Sequence, residues 1–398
     1  MSFTSFEILF SSGIPSVNVS DLPPLPAPLW FIEFFKVLGF VLHMLMMNLW
    51  LVALPLALYL SWKGSAEGKK WAQRIIRQMP VIITFGVNFG IVPLLFIQVL
   101  YPRAFYPATI LMGWSWLSII WMLIPAYYGV YLYMFAIKKD AENIPGWKYF
   151  IGWLSSLTFI LIGFIFVNGL TLTASPEMWH HVWMESGNEV AGATLGLGHA
   201  LSHPALLARW AIMFGLAFGT VAGWTLLDVH LFRRPNSPLP ITDEYRLWAG
   251  KFASRCALLG SIIFILAGSH YVFATWTDAA KQTMFSDKMF PITALAACGP
   301  VLTAIITCTF SRTQNIFFGL LPFLAQIISL SGNALARQGL QIFQLYGYLD
   351  ITHMKINWEL PSMWLFLGTF VGGVLVIVWM LYTAGMAVKN KNHSHKKI

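Results

Sequence analysis

The chain has 398 residues, of which 57% are hydrophobic and 10% charged, and its formal net charge is +9. Soluble domains contain about 25% charged residues, so the composition indicates an all-α integral membrane protein. The basic residues lie between apolar segments, where cytoplasmic loops carry them, and no nucleic-acid partner is expected.

Nine apolar segments reach the length of about 20 residues that a membrane-spanning helix needs. Segments rich in Lys and Arg follow the first, third, fifth, seventh and ninth of them, whereas the other connections contain few basic residues. The positive-inside rule therefore predicts an N-terminus outside and a C-terminus in the cytoplasm. The predicted spans are 30–62, 80–101, 109–137, 148–173, 206–229, 249–277, 291–310, 315–345 and 363–388.

The whole chain, 1–398, is interpreted as a single transmembrane helical domain. Residues 1–29 form an outer N-terminal segment, which lacks the basic n-region of a cleaved signal peptide. Residues 174–205 form the longest outer loop, and residues 389–398 form a basic cytoplasmic tail.

The first span contains one histidine, His43, within the apolar run FFKVLGFVLHMLMMNLW. Imidazole is a common axial ligand of haem iron, and helical bundles hold haem through one or two such side chains. His270, in the sixth span, is a second candidate ligand. A simpler interpretation stays open for each histidine, in which the ring donates a hydrogen bond to a helix carbonyl.

The long outer loop contains His199 and His203, which would share one face if this part of the loop were helical. That arrangement suits a metal or the edge of a haem near the outer surface. It equally suits an interfacial helix whose histidines are solvated.

Arg209 opens the fifth span, and Arg337 and Gln338 lie near the outer end of the eighth. A buried arginine can neutralise haem propionates or bind a quinone oxygen. It can also extend to lipid head groups, and both interpretations stay open.

Acidic residues are absent from the second, third, fourth, seventh and eighth spans, and Glu33 and Asp228 are expected near span ends, within reach of water. Proton-coupled transporters place an acid deep in the membrane. The sequence therefore argues against an ion-coupled transporter and against an oxygen reductase that works without partners.

Six short motifs are spread over most of the chain: VLHMLMMNLWLVALPLAL around His43, FGVNFGIV (85–92), FVNGLTLTASP (166–176), HPALLARW (203–210), YRLWAGKFASRCALLGSIIFILAGSHYV in the sixth span, and ARQG (336–339). As a set they resemble the larger, haem-bearing subunit of the cytochrome bd quinol oxidases. The resemblance implies nine spans, an outer N-terminus and a haem ligand at His43.

Several features of that family have no counterpart here. The place of its low-spin haem histidine falls near Ile212, and the seventh span contains neither Met nor His. The acids of its third span and the carboxylate of its eighth are missing, and the loop after the sixth span is short. The resemblance thus implies a scaffold that keeps one haem ligand and does not by itself reduce oxygen.

We therefore expect a membrane subunit of a respiratory electron-transfer complex that binds one haem b, a quinol (menaquinone or ubiquinone) or both, with no other metal. Its expected partners are other membrane subunits, an outer-face c-type cytochrome and the lipid of a bacterial or archaeal inner membrane. Two alternatives stay open: a cofactor-free structural anchor, and a bd-type oxidase with replaced ligands.

Overall fold

The computed structural model describes residues 17–18, 21–231 and 239–394, including part of the side chains of the last helix. Eight helices of these residues are long and apolar enough to cross a membrane, as a multi-pass membrane protein requires. They are α1 (Leu29–Lys63), α2 (Ala66–Leu100), α3 (Gly113–Lys139), α4 (Gly146–Thr173), α5 (Leu206–Leu231), α6 (Asp243–Thr275), α7 (Phe290–Phe310) and α8 (Ile316–Leu345).

The ninth predicted span, 363–388, falls on a further helix, α9 (Leu360–Ser394). Its described apolar part is Leu360–Val376, which is shorter than a full span, so the count of nine stays a prediction. The basic tail 389–398 lies outside the described side chains. We call the end of the bundle where α1 begins the outer end, after the charge-based prediction, and the opposite end the inner end.

The start of α2 differs most from the sequence prediction. The second span was expected from residue 80, with the basic segment before it as a connection, but α2 begins at Ala66. The Ser65 hydroxyl accepts a hydrogen bond from the Gly68 N–H at 3.3 Å and caps the helix. The basic residues 69–77 are therefore part of the bundle, because the helix has three to four extra turns at its start.

Shorter helices occupy the connections. The predicted third span, 109–137, covers the end of one of them, Pro102–Leu111, together with most of α3. Others lie in the outer loop and before α7, namely Trp179–Glu185, Asn188–Ala191 and Asp278–Met284.

Helices α5 and α6 pack backbone to backbone through two glycines. A Cβ atom on Gly215 would lie 2.9 Å from the Gly260 carbonyl oxygen, and one on Gly260 would lie 2.6 Å from the Gly215 carbonyl oxygen. Such contacts let dispersion forces hold helices together in a membrane, where the hydrophobic effect does not drive their association.

The inner half of the bundle is closely packed around large side chains. Trp71 and Tyr133 are at most 1% exposed. The Trp71 indole donates to Thr225 Oγ1 at 3.0 Å, and the Tyr133 hydroxyl lies 2.7 Å from Ser61 Oγ. The polar atoms that accompany these rings into the core thus have partners, as buried groups require.

A buried ion pair joins α2 to α5 at the inner end. Arg74 Nε donates to Asp228 Oδ2 at 2.5 Å, and Gln78 Nε2 donates to Asp228 Oδ1 at 2.9 Å. Gln78 Oε1 in turn accepts from the Trp224 indole at 3.0 Å. Asp228 is 1% exposed, so the expectation that water reaches it is wrong, because the first turns of α2 cover it.

The described part of the N-terminal segment lies at the outer end of the bundle and binds the loop between α8 and α9. The Val17 N–H donates to the Tyr348 carbonyl and the Leu25 N–H to the Lys355 carbonyl, both at 2.8 Å. The Asn357 N–H donates back to the Leu25 carbonyl at 2.9 Å. This short backbone pairing anchors the described residues before α1, 17–18 and 21–28, over the outer ends of the helices.

Candidate functional site: a cavity with a cationic end

A cavity of about 530 Å³ lies in the outer half of the bundle, between helices α1, α2 and α4 to α8. Its volume is in the range of cofactor and small-molecule sites, which are mainly apolar with a few placed polar groups. Most of its lining is aliphatic or aromatic, with Met44, Met47 and Phe40 from α1 as examples.

His43 lies on the wall of this cavity. Its Nδ1 is 2.7 Å from the Gly86 carbonyl oxygen of α2, and because a carbonyl only accepts, Nδ1 carries the hydrogen. The other ring nitrogen, Nε2, then has the free lone pair. Metal-bound histidines commonly donate their second ring N–H to a carbonyl in this way.

A glycine of α2 makes room for the His43 ring. A Cβ atom on Gly90 would lie 2.6 Å from His43 Nδ1, closer than side-chain atoms approach each other. On the other side, the Trp50 ring meets the imidazole edge to face, with 6.0 Å between centroids. The imidazole is therefore confined on two sides and faces the cavity with the rest of the ring.

Three cations gather at the outer end of the cavity: Lys36 from α1, Arg209 from α5 and Arg337 from α8. The Arg337 guanidinium stacks on the Phe40 ring, 4.5 Å from its centroid. None of the three cations forms an ion pair with another described residue. Three cations face the single carboxylate of Glu33, and such an excess of positive charge in an apolar site favours an anionic ligand.

Neutral amides and one carboxylate complete this end. Gln338 Nε2 donates to Glu33 Oε1 at 2.9 Å and lies 3.4 Å from the Tyr101 hydroxyl. Gln341 Oε1 accepts a long hydrogen bond, 3.4 Å, from Lys36 Nζ. Glu33 is partly exposed near the start of α1, which fits its expected place near a span end.

The cavity also reaches the outside of the bundle. Ile265, Phe273 and Phe285 contribute to its lining and are 47%, 71% and 45% exposed. Tyr271 and Phe273 belong to a π-helical turn, Tyr271–Thr275, which ends α6 beside the cavity. Turns of this type are frequent at functional sites.

The structure brings together four of the residues predicted from the sequence: His43, Arg209, Arg337 and Gln338 all line the cavity. His270 does not, because its side chain is exposed on α6 and points away from the wall that its neighbours Ser269 and Tyr271 form. A second ligand from His270 to a group held by His43 is therefore not supported.

His199 and His203 lie in an irregular stretch, so the helix that would place them on one face is not formed. His199 Nε2 lies 3.3 Å from Ser115 Oγ, whereas His203 Nε2 lies 3.1 Å from Ser175 Oγ. Burial, followed by the charge of Arg209, lowers the pKa of His203 to about 4. Each ring has its own hydroxyl partner, and both keep a structural interpretation.

Lys36 is the residue of the site that sequence reasoning missed. A signal was present, because Lys36 is the only lysine or arginine within the predicted first span and lies seven residues before His43. Seven residues are two helical turns, or about 10 Å, so both side chains lie on one face of α1. A charged residue within a span is a functional candidate by default.

The residues of the cavity fit one haem. His43 offers a nitrogen with a defined tautomer, and two arginines at the cationic end match two propionates. Ile212, the position where the resemblance placed the counterpart of a low-spin haem ligand, also lines the cavity and offers no donor atom. Among the described residues, no three His, Cys, Asp or Glu side chains cluster to hold a bare metal ion.

Comparison with known proteins shows a likeness at the level of the fold. No protein-family model matches the chain, and no curated protein matches it. Among solved structures, a chain of the bd oxidase from Geobacillus thermodenitrificans is similar, with a TM-score of 0.62 and 13% sequence identity. The match covers 89% of this chain and 97% of that one, so the bd-like fold that the motifs implied is confirmed.

Proposed function

We propose that this chain is the haem b-binding membrane subunit of a respiratory electron-transfer complex, with His43 as the iron ligand. The observation that carries the proposal is that one cavity has both parts of a haem site. His43, hydrogen-bonded to Gly86, lies on its wall, and two arginines lie at its outer end. The bd-like fold supports a place among membrane subunits of respiratory complexes. A bound haem would supply a reversible one-electron couple.

In this proposal each residue of the chain has a defined task. His43 presents Nε2 to the cavity, because its Nδ1–H is donated to the Gly86 carbonyl. Arg209 and Arg337 neutralise carboxylates of the ligand, and the apolar walls exclude water. The exposed edge at Phe273 offers a lateral entrance through which a menaquinol or ubiquinol could reach Arg337 and Gln338 from the lipid.

The electron would then pass to a partner. We propose other membrane subunits beside this chain and a c-type cytochrome at the outer face, since the cavity lies in the outer half of the bundle. The outer loop with His199 and His203 is the part of the chain nearest to such a partner.

An absorption spectrum of the purified complex, oxidised and reduced, tests the proposal. We expect a reduced haem b band that disappears in His43→Ala. His270→Ala is the matched control, because it removes another histidine of the bundle outside the cavity, and it should leave the band unchanged. Absence of the band in the wild-type complex would refute the haem assignment.

Two other functions remain candidates. A cofactor-free structural anchor is favoured by Ile212, which gives the cavity an aliphatic side chain where the related family has a ligand. Haem retained by the wild type and lost in His43→Ala would exclude it. A bd-type oxidase with replaced ligands requires oxygen consumption with a quinol donor, and no consumption by the intact complex would exclude that alternative.

A further inference from the structure

Lys36 differs from the two arginines beside it because a lysine can lose its proton within the protein. Its side chain is buried, at 7% exposure, on the cavity wall. Its amine has one long hydrogen bond, 3.4 Å to Gln341 Oε1, and lies 4.8 Å from the centre of the Tyr101 ring. Among the described residues it has no ion-pair partner. A permanent charge is therefore poorly compensated at this position.

The charges around the amine come from several helices. Glu33 lies one turn before Lys36 on α1 and carries the opposite charge, whereas Arg337 from α8 carries the same charge. Arg209 from α5 lines the same end of the cavity. Tyr101 at the end of α2 and Tyr271 of α6 complete the titratable groups near this end, with His43 two turns away. Helices α4 and α7 contribute no titratable side chain to the lining.

Arg209 and Arg337 suffice to balance two propionates. The opposite charge nearest to the Lys36 amine is then the Glu33 carboxylate, which does not form an ion pair with it. The Lys36 amine then responds to any further charge in the cavity. A unit charge about 10 Å from the Lys36 amine, at an effective dielectric constant of about 20, changes the proton-binding equilibrium of the amine by roughly tenfold. One electron added near His43 is such a charge.

We propose that Lys36 is a redox-linked proton site, which binds one proton when the group held by His43 gains one electron. The inference rests on the proposed function, because it requires haem at His43. In the forward direction a reductant supplies one electron, and one proton from the outer aqueous phase converts the Lys36 amine to its ammonium form. Oxidation releases both again.

The side chains toward the outer end provide a route for this proton. Glu33 is partly exposed and lies one turn closer to the outer surface than Lys36. The hydrogen bond from Gln338 holds one of its carboxylate oxygens at 2.9 Å. Electron transfer at this haem would thus be coupled to proton exchange with the outer side through Glu33 and Lys36 of α1.

Redox titration of the haem band between pH 5.5 and 9 tests the inference, using the purified complex and soluble mediators. We expect the wild-type midpoint potential to fall as the pH rises. Lys36→Met, which has no proton to bind, should give a pH-independent potential close to the wild-type value at high pH. Lys36→Arg, which stays charged, should also be pH-independent but close to the wild-type value at low pH.

The equilibrium constants for reduction of Lys36→Met and Lys36→Arg should differ by about tenfold, which corresponds to a difference of about 59 mV in midpoint potential for one electron. Lys355→Met, a change at an exposed lysine of the outer loop, is the control and should titrate like the wild type. If Lys36→Met fails to bind haem, the test rests on Lys36→Arg, whose midpoint potential should not change with pH.

The inference is overturned if Lys36→Met and Lys36→Arg keep the wild-type pH response. It is also overturned if Glu33→Gln removes the response while Lys36→Met does not, since the proton would then bind to the carboxylate. A wild-type complex with a haem band and a pH-independent potential refutes this inference alone. A wild-type complex without the band refutes the proposed function.

Discussion

The two ends of the helix bundle treat buried charge in opposite ways. At the inner end Arg74 is paired with Asp228, and Gln78 satisfies the second carboxylate oxygen. At the outer end Lys36 and Arg337 have no ion-pair partner among the described residues, although both line an apolar cavity. A paired buried charge holds helices together, whereas an unpaired one is retained at a cost in stability and indicates a ligand.

The largest effect is expected from breaking the inner pair. Asp228→Asn keeps the size of the side chain but leaves the Arg74 guanidinium buried without its counter-ion, which should cost about 3–5 kcal/mol of unfolding free energy. Denaturant titration in detergent micelles measures it. Asp278→Asn is the control, because the Asp278 side chain is 93% exposed and its pair with Lys281 should contribute no more than about 1 kcal/mol. Equal losses in the two variants would contradict the contrast between the ends.

The next largest effect concerns the room left for His43. Gly90→Ala would place a Cβ atom 2.6 Å from His43 Nδ1. We therefore expect the free energy of unfolding to fall by about 1–3 kcal/mol and the haem band to weaken. Gly268→Ala, also on the cavity wall, meets its nearest side-chain atom at 3.8 Å and should be neutral or slightly stabilising. A Gly90→Ala protein with normal stability and spectrum would show that the imidazole is free to move.

Removal of a cation at the outer end of the cavity should raise the free energy of unfolding, whereas the two changes above lower it. In protein without ligand, Arg337→Met replaces a half-buried cation that has no ion-pair partner among the described residues by an apolar side chain and should raise the unfolding free energy by about 0.5–2 kcal/mol. The same variant should bind haem less tightly, as measured by haem titration. Destabilisation of the ligand-free protein by this change would mean that the cationic end is already compensated.

The smallest effect concerns pH and His203. Because its pKa is about 4 in the folded chain and about 6.5 when unfolded, the unfolded state binds more protons between these values. This contribution to stability is fully present above pH 6.5 and is lost as the pH falls toward 4. Because the His203 ring is only half-buried, screening by solvent reduces the loss to on the order of 1 kcal/mol. The difference in unfolding free energy between wild type and His203→Gln, followed from pH 7 to 4.5, measures it. A constant difference would refute the shift.

Long apolar runs made the spans predictable, because length and composition decide whether a helix crosses a membrane. The same rules did not predict the start of α2, since residues 66–79 carry charges that lie on a buried helical face only once α5 is beside them. The pairing of Arg74 with Asp228 joins residues 154 positions apart, a distance that no local pattern encodes.

The candidate site was predictable in part for a similar reason. His43 and Arg337 are conspicuous because polar side chains are rare in spans. Hydropathy does not tell which face of a helix meets the cavity, so His270 stayed a second candidate ligand until the structure placed its side chain outside. For His199 and His203 the assumed helix is absent, and the nearby glycines Gly192 and Gly196 adopt positive φ angles that interrupt a helix.

Helix α1 contains a π-helical turn, Leu49–Ala53, directly after the half that carries Lys36 and His43. A turn of this kind accommodates one residue more than a regular α-helix would, and one residue corresponds to about 100° of rotation. The turn therefore sets the angle between the two halves of the helix. Loss of a single residue from it would rotate Lys36 and His43 together off the cavity wall, while the inner half kept its packing. The outer half of α1 thus determines the spacing of Lys36 and His43, whereas the π-helical turn determines the direction in which both side chains point.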